Sequence, residues 1–451
     1  MKYDLLFRHT QYGDVAVSGG RIVKVGEMLA PAVTEIDAAG KWLLPGGVDV
    51  HTHLNLTVGG NRTCDGWERG SRAALAGGTT TVVEHISFDA GGSCRAAFQQ
   101  AFVEAEGRSC CDYSLHGVAQ RVDQELLQAL AEGAAEGLCS WKAYTTYDSP
   151  VYGEALERLF RAAQAAGVVV CVHCEDDGLL QNARAQLAAA GRLGPEYHPE
   201  SRPDYCEARA VREVLAAALR AGEAPVHLVH LSTAAGLREL REARRRGQSN
   251  ITAETCPQYL LLDSGLYKQG RAQALRAAMS PPLRSAEDRQ ALWQGLQRGD
   301  VDMVATDHCA FSLAQKEQGR EDLRRTPNGA PGVEERLTLL LSEGVSEGRL
   351  TLERAVEVLC TAPARRFGLD AKGCIAPGFD ADLVLFDPAG VTRYSSPPAH
   401  GGAEYSLYGG LELRGRVERV WLRGVPVYEQ GRVLARPGQG RYVERFLRRS
   451  K

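Results

Sequence analysis

Asp49-Val-His-Thr-His53 closes the first strongly apolar run of the chain. Side chains two apart on a strand share a face, so His51 and His53 project together, the geometry two imidazoles need to share a metal centre. Alone, the pair is weak evidence for a metal, since two surface or hydrogen-bonded core histidines give the same pattern. Later runs add partners. His173 and His230 end two of them, Asp307 ends another, and Lys142 lies within Ser140-Trp-Lys-Ala-Tyr. The chain has only 11 His, so four at run ends, joined by an aspartate and a lysine, form a convergent set suited to holding metal. His227, three residues before His230, points the other way. His308 follows Asp307 and faces away from it, which suits a supporting or structural role. His85 ends Glu84-His85 and reads as a core histidine, with a supporting role as the alternative. A buried Lys142 is unfavourable as a cation, because desolvation lowers its pKa. As a neutral amine it can take up carbon dioxide, giving a carbamate whose two oxygens can bridge two ions. A structural pairing with an acid is its other reading.

These residues need elements to hold them. Apolar runs fall at 48–53, 79–85, 113–118, 139–144, 168–173, 226–231, 250–254 and 303–306, with helical patterns such as 154–166, 207–221 and 234–246 between them. Eight strands with helical crossovers predict an α/β fold, a closed (β/α)8 TIM-like barrel. An open doubly wound sheet is the alternative, but no Gly-x-Gly-x-x-Gly follows the first strand. Barrel sites form at the C-terminal ends of strands, where the candidate residues stand. Both chain ends read as short alternating strands, with a hairpin at Gly19-Gly20. Neither end has enough strands to bury a face alone, so together they predict a small β-sandwich. The expected division is 1–47 for its N-terminal part, 48–372 for the barrel, and 373–451 for its C-terminal part and tail.

Bulk properties exclude some functions. The chain has 451 residues, 44% hydrophobic, with 53 basic and 56 acidic side chains for a net charge of −3. Such a balance attracts neither nucleic acid nor an anionic membrane. The short clusters Arg244 to Arg246 and Arg448-Arg449 read as a solvated helix face and a tail. No apolar run approaches the ~18 residues of a membrane span, and the start, Met1-Lys-Tyr-Asp4, lacks a signal-peptide core, so a cytoplasmic protein is expected. The 12 Cys form no disulfide-like framework and read as buried apolar side chains. Cys171-Val-His-Cys174 lies inside an apolar run, away from the helix start that redox use favours.

Taken together, Pro45-Gly-Gly-Val-Asp-Val-His-Thr-His-Leu54, Lys142 in its strand, Val172-His-Cys-Glu175, Val229-His-Leu-Ser232, Glu254-Thr-Cys-Pro-Gln-Tyr259, Ser280-Pro-Pro-Leu-Arg284, Ala305-Thr-Asp-His-Cys309 and Pro327-Asn-Gly329 resemble the hydantoinases and dihydropyrimidinases of the amidohydrolase superfamily. The likeness spans nearly the whole chain, including Gly373-Cys-Ile-Ala-Pro-Gly-Phe-Asp-Ala-Asp-Leu-Val384. Through His53-Leu-Asn-Leu56 and Thr306-Asp-His-Cys-Ala-Phe-Ser312 it is strongest to bacterial D-phenylhydantoinases. The resemblance implies two divalent ions, zinc first, with manganese or cobalt as alternatives. His51, His53 and Asp307 would hold the more buried ion and His173 and His230 the other, with carboxylated Lys142 and a hydroxide as bridges. Tyr147 would bond the developing oxyanion. Ser280 and Asn328 would bind the cyclic amide through main-chain groups, and Asp307 would carry the proton to the leaving nitrogen. The products would be N-carbamoyl amino acids from D-5-monosubstituted hydantoins or dihydropyrimidines, made by a homotetramer.

Dihydroorotases, in this resemblance, carry an arginine two residues after the second histidine to bind a carboxylate. Here that position is Asn55, though Arg62 in the following loop could supply charge. An allantoinase-type activity is the nearest other rival. Dihydropyrimidinase-related scaffold proteins keep the fold but lack ligands, whereas all the ligand positions are filled here. Selectivity is expected from the loops 56–68 and 145–153, with Leu56, Val58 and Tyr152 as an apolar pocket for an aromatic substituent.

Overall fold

The computed structural model describes residues 2–86 and 93–447, so the Arg448-Arg449 pair lies outside the described residues. Every apolar run expected as a barrel strand overlaps one: Gly47–Thr52, Thr79–His85, Asp112–Val118, Ser140–Tyr144, Val169–His173, Val226–Leu228, Ile251–Thr255 and Met303–Val304. They pair in parallel, in sequence order, as one eight-stranded sheet. Five of the first six are buried along their whole length, as parallel strands covered on both faces must be. The sixth and eighth are shorter than their runs. The chain leaves the ladder just before His230 and Asp307, whose φ angles of 38° and 52° are left-handed and incompatible with strand pairing.

The first and last strands meet through a seam of mixed character. At its upper end Asp307 N donates to His51 O at 3.0 Å and His53 N to His308 O at 2.8 Å. Lower down, Thr306 N and Oγ1 donate to Asp49 at 3.1 and 2.7 Å. The fully buried Arg336 there donates to Val48 O and Val304 O at 3.1 and 2.8 Å. Charge-assisted bonds thus replace the ladder that the short last strand cannot make.

Crossover helices cover the outside. The three helical patterns form as Gly153–Ala166, Asp204–Arg220 and Ala234–Arg245. Thr233 caps the last, its hydroxyl accepting from Gly236 N. Gly167, left-handed at φ 70°, ends the first.

Both chain ends build the second unit. Tyr3–Thr10, Gly13–Ser18, Arg21–Gly26 and Ala32–Asp37 form one sheet, and Trp42–Pro45 joins Leu383–Arg393, Glu412–Leu422, Val425–Glu429 and Arg432–Val433 in another. Gly19 and Gly20 make the expected hairpin, with φ of 60° and 77° that a tight two-residue turn requires. Leu5, Phe7, Val17, Leu43, Leu383 and Trp421 pack between the sheets, with Phe7 edge-on to Trp421 at 4.8 Å. Lys372 ties this unit to the barrel. Its Nζ lies 2.6 Å from Asp112, 3.0 Å from Asp380 and 2.7 Å from Asp382, filling the place a metal ion would take among those carboxylates.

Candidate metal centre

At the C-terminal ends of the strands lies a cavity of about 560 Å³, within the usual range for a small-molecule site. His51, His53, Lys142, His173, His230 and Asp307 all line it. Asp307 Oδ1 stands 3.1 Å from both His51 Nε2 and His53 Nε2. Lys142 Nζ is 3.3 Å from His51 Nε2. His173 Nδ1 faces His230 Nε2 at 2.8 Å. The six groups expected from sequence are therefore brought together, as two clusters with Lys142 beside one of them.

The chemistry of this donor set fits two divalent ions. Burial pulls the pKa of His173 below the ordinary imidazole range, and that of His230 well below it, which keeps them neutral and able to ligate. Burial likewise lowers Lys142, favouring the neutral amine that carbamate formation needs. Burial alone would raise the Asp307 carboxyl, but His51, His53 and His230 around it hold it well below the usual range.

Tautomers are fixed from behind. His173 Nε2 donates to Glu175 Oε2 at 2.7 Å, leaving the Nδ1 lone pair towards His230. Burial would raise Glu175, but Arg202 and His173 bring it down to about 2. His51 Nδ1 donates to Glu254, which also accepts from His227 Nε2 at 2.9 Å. Such carboxylate-histidine pairs orient ligands and raise their basicity. Neither glutamate was singled out by sequence reasoning, although both lie in quoted motifs and Glu254 stands at the end of the seventh strand. His227, expected to face away, reaches the site only through Glu254.

His85 joins the wall rather than the distant core. It lines the cavity, its ring stacks on His53 at 4.7 Å, and its Nδ1 donates to Thr52 O at 3.2 Å. His308 is structural: Nε2 donates to Asp65 at 2.9 Å and Nδ1 accepts from Gly332 N and Val333 N at 3.0 and 3.1 Å.

Tyr147, Ser280 and Asn328 also line the cavity. Tyr147, at φ 75°, lies against His173 at 5.0 Å and beneath the Arg202 guanidinium at 5.2 Å. Tyr147, His230 and Asp307 are all left-handed, and non-glycine residues in that region cluster at functional sites. Asn328 Oδ1 is buried without a hydrogen-bond partner. Of the expected selectivity residues, Leu56 and Val58 are on the wall. Among the described residues Tyr152 is not: it is 64% exposed, just outside a helix start. Asn55 faces away too, with its amide on Glu104 and its carbonyl oxygen accepting from Arg62 at 2.8 Å.

A sequence model of the amidohydrolase family matches residues 42–427. The D-phenylhydantoinase of Escherichia coli O9:H4 (strain HS) is 41% identical over 438 residues, 96% of this chain and 94% of that protein. A solved D-hydantoinase superposes with a TM-score of 0.95 at 33% identity, covering 98% of this chain and 99% of its own. The Thermus sp. D-hydantoinase (dihydropyrimidinase) gives 0.94 at 35% identity, with coverage of 98% and 99%. The chain belongs to the amidohydrolase family, and its fold is that of the hydantoinase structures it matches.

Proposed function

We propose that this chain hydrolyses cyclic ureides, opening D-5-monosubstituted hydantoins with aromatic substituents, and dihydropyrimidines, to N-carbamoyl amino acids. The observation that carries the reading is the convergence of His51, His53, Lys142, His173, His230 and Asp307 on one cavity. His51, His53 and Asp307 would hold one divalent ion, His173 and His230 the second, and carboxylated Lys142 both; zinc is the metal this donor set suits. When bound, two such ions supply water activation near neutral pH and polarise the scissile carbonyl. Asp307 Oδ takes the proton of the attacking water and delivers it to the departing ring nitrogen. Tyr147 Oη donates to the carbonyl oxygen as it gains charge. Main-chain groups of Ser280 and Asn328 hold the ring amide, and Leu56 and Val58 contact the exocyclic group.

Asn55 supports a ring without a carboxylate, since both it and Arg62 are engaged with each other outside the wall. A second reading, a ureide with an anionic substituent, is favoured by Arg325 on the cavity wall. Hydrolysis of phenylhydantoin, dihydrouracil, allantoin and dihydroorotate by the metal-loaded protein separates these readings. Phenylhydantoin or dihydrouracil turnover supports the first, and turnover of dihydroorotate alone overturns it. Metal analysis together with a density map around Lys142 tests the ions and the carbamate.

The same reading takes 1–47 and 373–451 as the two parts of the sandwich and 48–372 as the barrel. It places the enzyme in a reducing cytoplasm, in keeping with twelve free cysteines, as a homotetramer that light scattering would detect. No helix of the described residues is long and apolar enough to cross a membrane.

A further inference from the structure

Lys316 lies in the short helix Leu313–Glu317 and is 1% exposed. Its Nζ donates to Ala278 O at 2.7 Å, Pro327 O at 2.8 Å and Gly329 O at 2.6 Å. An ammonium has three protons, and main-chain carbonyls take all of them. Among the described residues no carboxylate pairs with it. The buried Cys309 thiol acts on it electrostatically, and burial pushes that thiol well above its ordinary range. A buried cation without a counter-charge is expensive to keep; burial lowers its pKa, while three carbonyl acceptors favour the charged form. Joining two loops alone does not require such a group.

What the three carbonyls have in common is their position. Ala278 precedes Ser280 by two residues, and Pro327 and Gly329 flank Asn328. Gly329 N donates to Ala278 O at 3.0 Å, so both segments share that carbonyl with Lys316. From the other side His198 Nε2 donates to Met279 O at 2.7 Å. Gly329 leaves no slack: at φ 152°, a Cβ there would lie 2.4 Å from Cys309 O. The main chain around Ser280 and Asn328 is therefore held at fixed separation, while Asn328 Oδ1 remains unpartnered.

We propose that Lys316 is a positioning residue for the substrate, its ammonium setting the gap between segments 278–280 and 327–329 into which the ring amide fits. The proposal rests on the cyclic-ureide reading above. Lys316 touches none of the six ligand groups, so its loss acts on binding of the ring and leaves metal loading intact.

The test uses the metal-loaded enzyme and Lys316→Met, Lys316→Gln and Lys316→Arg, assayed with the cyclic ureide the wild type turns over best. Metals per chain and Tm are measured alongside. Lys316→Met raises KM roughly tenfold or more, as expected for losing charge-assisted bonds, with kcat and metal content changed far less. Lys316→Gln, which keeps an amide donor, falls between. An unchanged KM in a folded Met variant overturns the proposal. So does a parallel fall in kcat and metal content, or the failure of all three variants to fold, which makes Lys316 a folding residue. A wild type that neither binds nor hydrolyses any cyclic ureide overturns the underlying reading, and this proposal with it.

Discussion

An imidazole donates a lone pair to a metal from one nitrogen, so the partner of its other nitrogen decides which face is ready. Glu254 does this for His51 and simultaneously holds His227. Replacing it by Gln keeps the volume, but its single carbonyl oxygen can accept from only one of the two rings. Glu254→Gln should weaken metal retention by about 10- to 100-fold, read as ions per chain after dialysis against a graded series of chelator. Full retention would remove Glu254 from the site's support. Tyr147 makes a different kind of contribution. The residue lines the cavity and its backbone is left-handed, so it is held there at a cost in strain. Tyr147→Phe should lower kcat by about 10²- to 10³-fold, the usual effect of removing one oxyanion donor, with metal content unchanged. A variant as fast as the parent would assign the phenol no part in the chemistry.

Strands aim the ligands and loops choose the substrate. The segment after His53 forms a small hairpin, Thr57–Val58 with Asn61–Arg62, which carries Val58 and Asn61 to the cavity wall. Leu56→Ala and Val58→Ala should each reduce the preference for a phenyl over a methyl substituent. About 1–3 kcal/mol of discrimination, or 10- to 200-fold in kcat/KM, is the scale for contacts of this size. An unaltered ratio would move the specificity pocket elsewhere on the wall. Barrel strands were readable because continuous apolar runs and the histidines that end them are local properties. The barrel and the convergence of His51, His53, His173, His230 and Asp307 at strand ends follow in that way, while the assignment of each to an ion came with the family resemblance. Glu254 was not readable as a supporter of His51, because the pair is 203 residues apart and only barrel closure makes them neighbours. Asn55 was readable as a difference, but its engagement by Arg62 and Glu104 depends on where the hairpin and the helix Cys94–Ala105 come to rest. Tyr152 was misplaced for a related reason: an aromatic one residue before a helix start can face either way, and here it faces solvent.

At the scale of the whole molecule the C-terminal part does more than complete a sandwich. Arg445 enters the underside of the barrel, fully buried, and donates to Ser114 Oγ at 2.7 Å and Ser140 Oγ at 2.9 Å. Glu335, beside the seam residue Arg336, accepts from Ser406 Oγ at 2.8 Å, so barrel closure and the far end of the chain share one carboxyl. Burial, with Glu334 adding to it, raises Glu335 from 4.5 to about 7. A carboxyl whose folded pKa exceeds its unfolded value binds its proton better when folded. Its protonated form therefore favours the native state below about pH 4.5, and the advantage is lost as pH rises through about 7. A shift of this size corresponds to roughly 3 kcal/mol by pH 8. Glu335→Gln keeps an acceptor for Ser406 without the charge. Its Tm should match the parent near pH 4.5 and exceed it increasingly up to pH 8, by a few degrees for a chain of this length. Thermal unfolding of both proteins across that range, at constant metal and protein concentration, measures the difference. Parallel curves would mean that Glu335 ionises without cost and that water or a neighbouring cation reaches it in the native state.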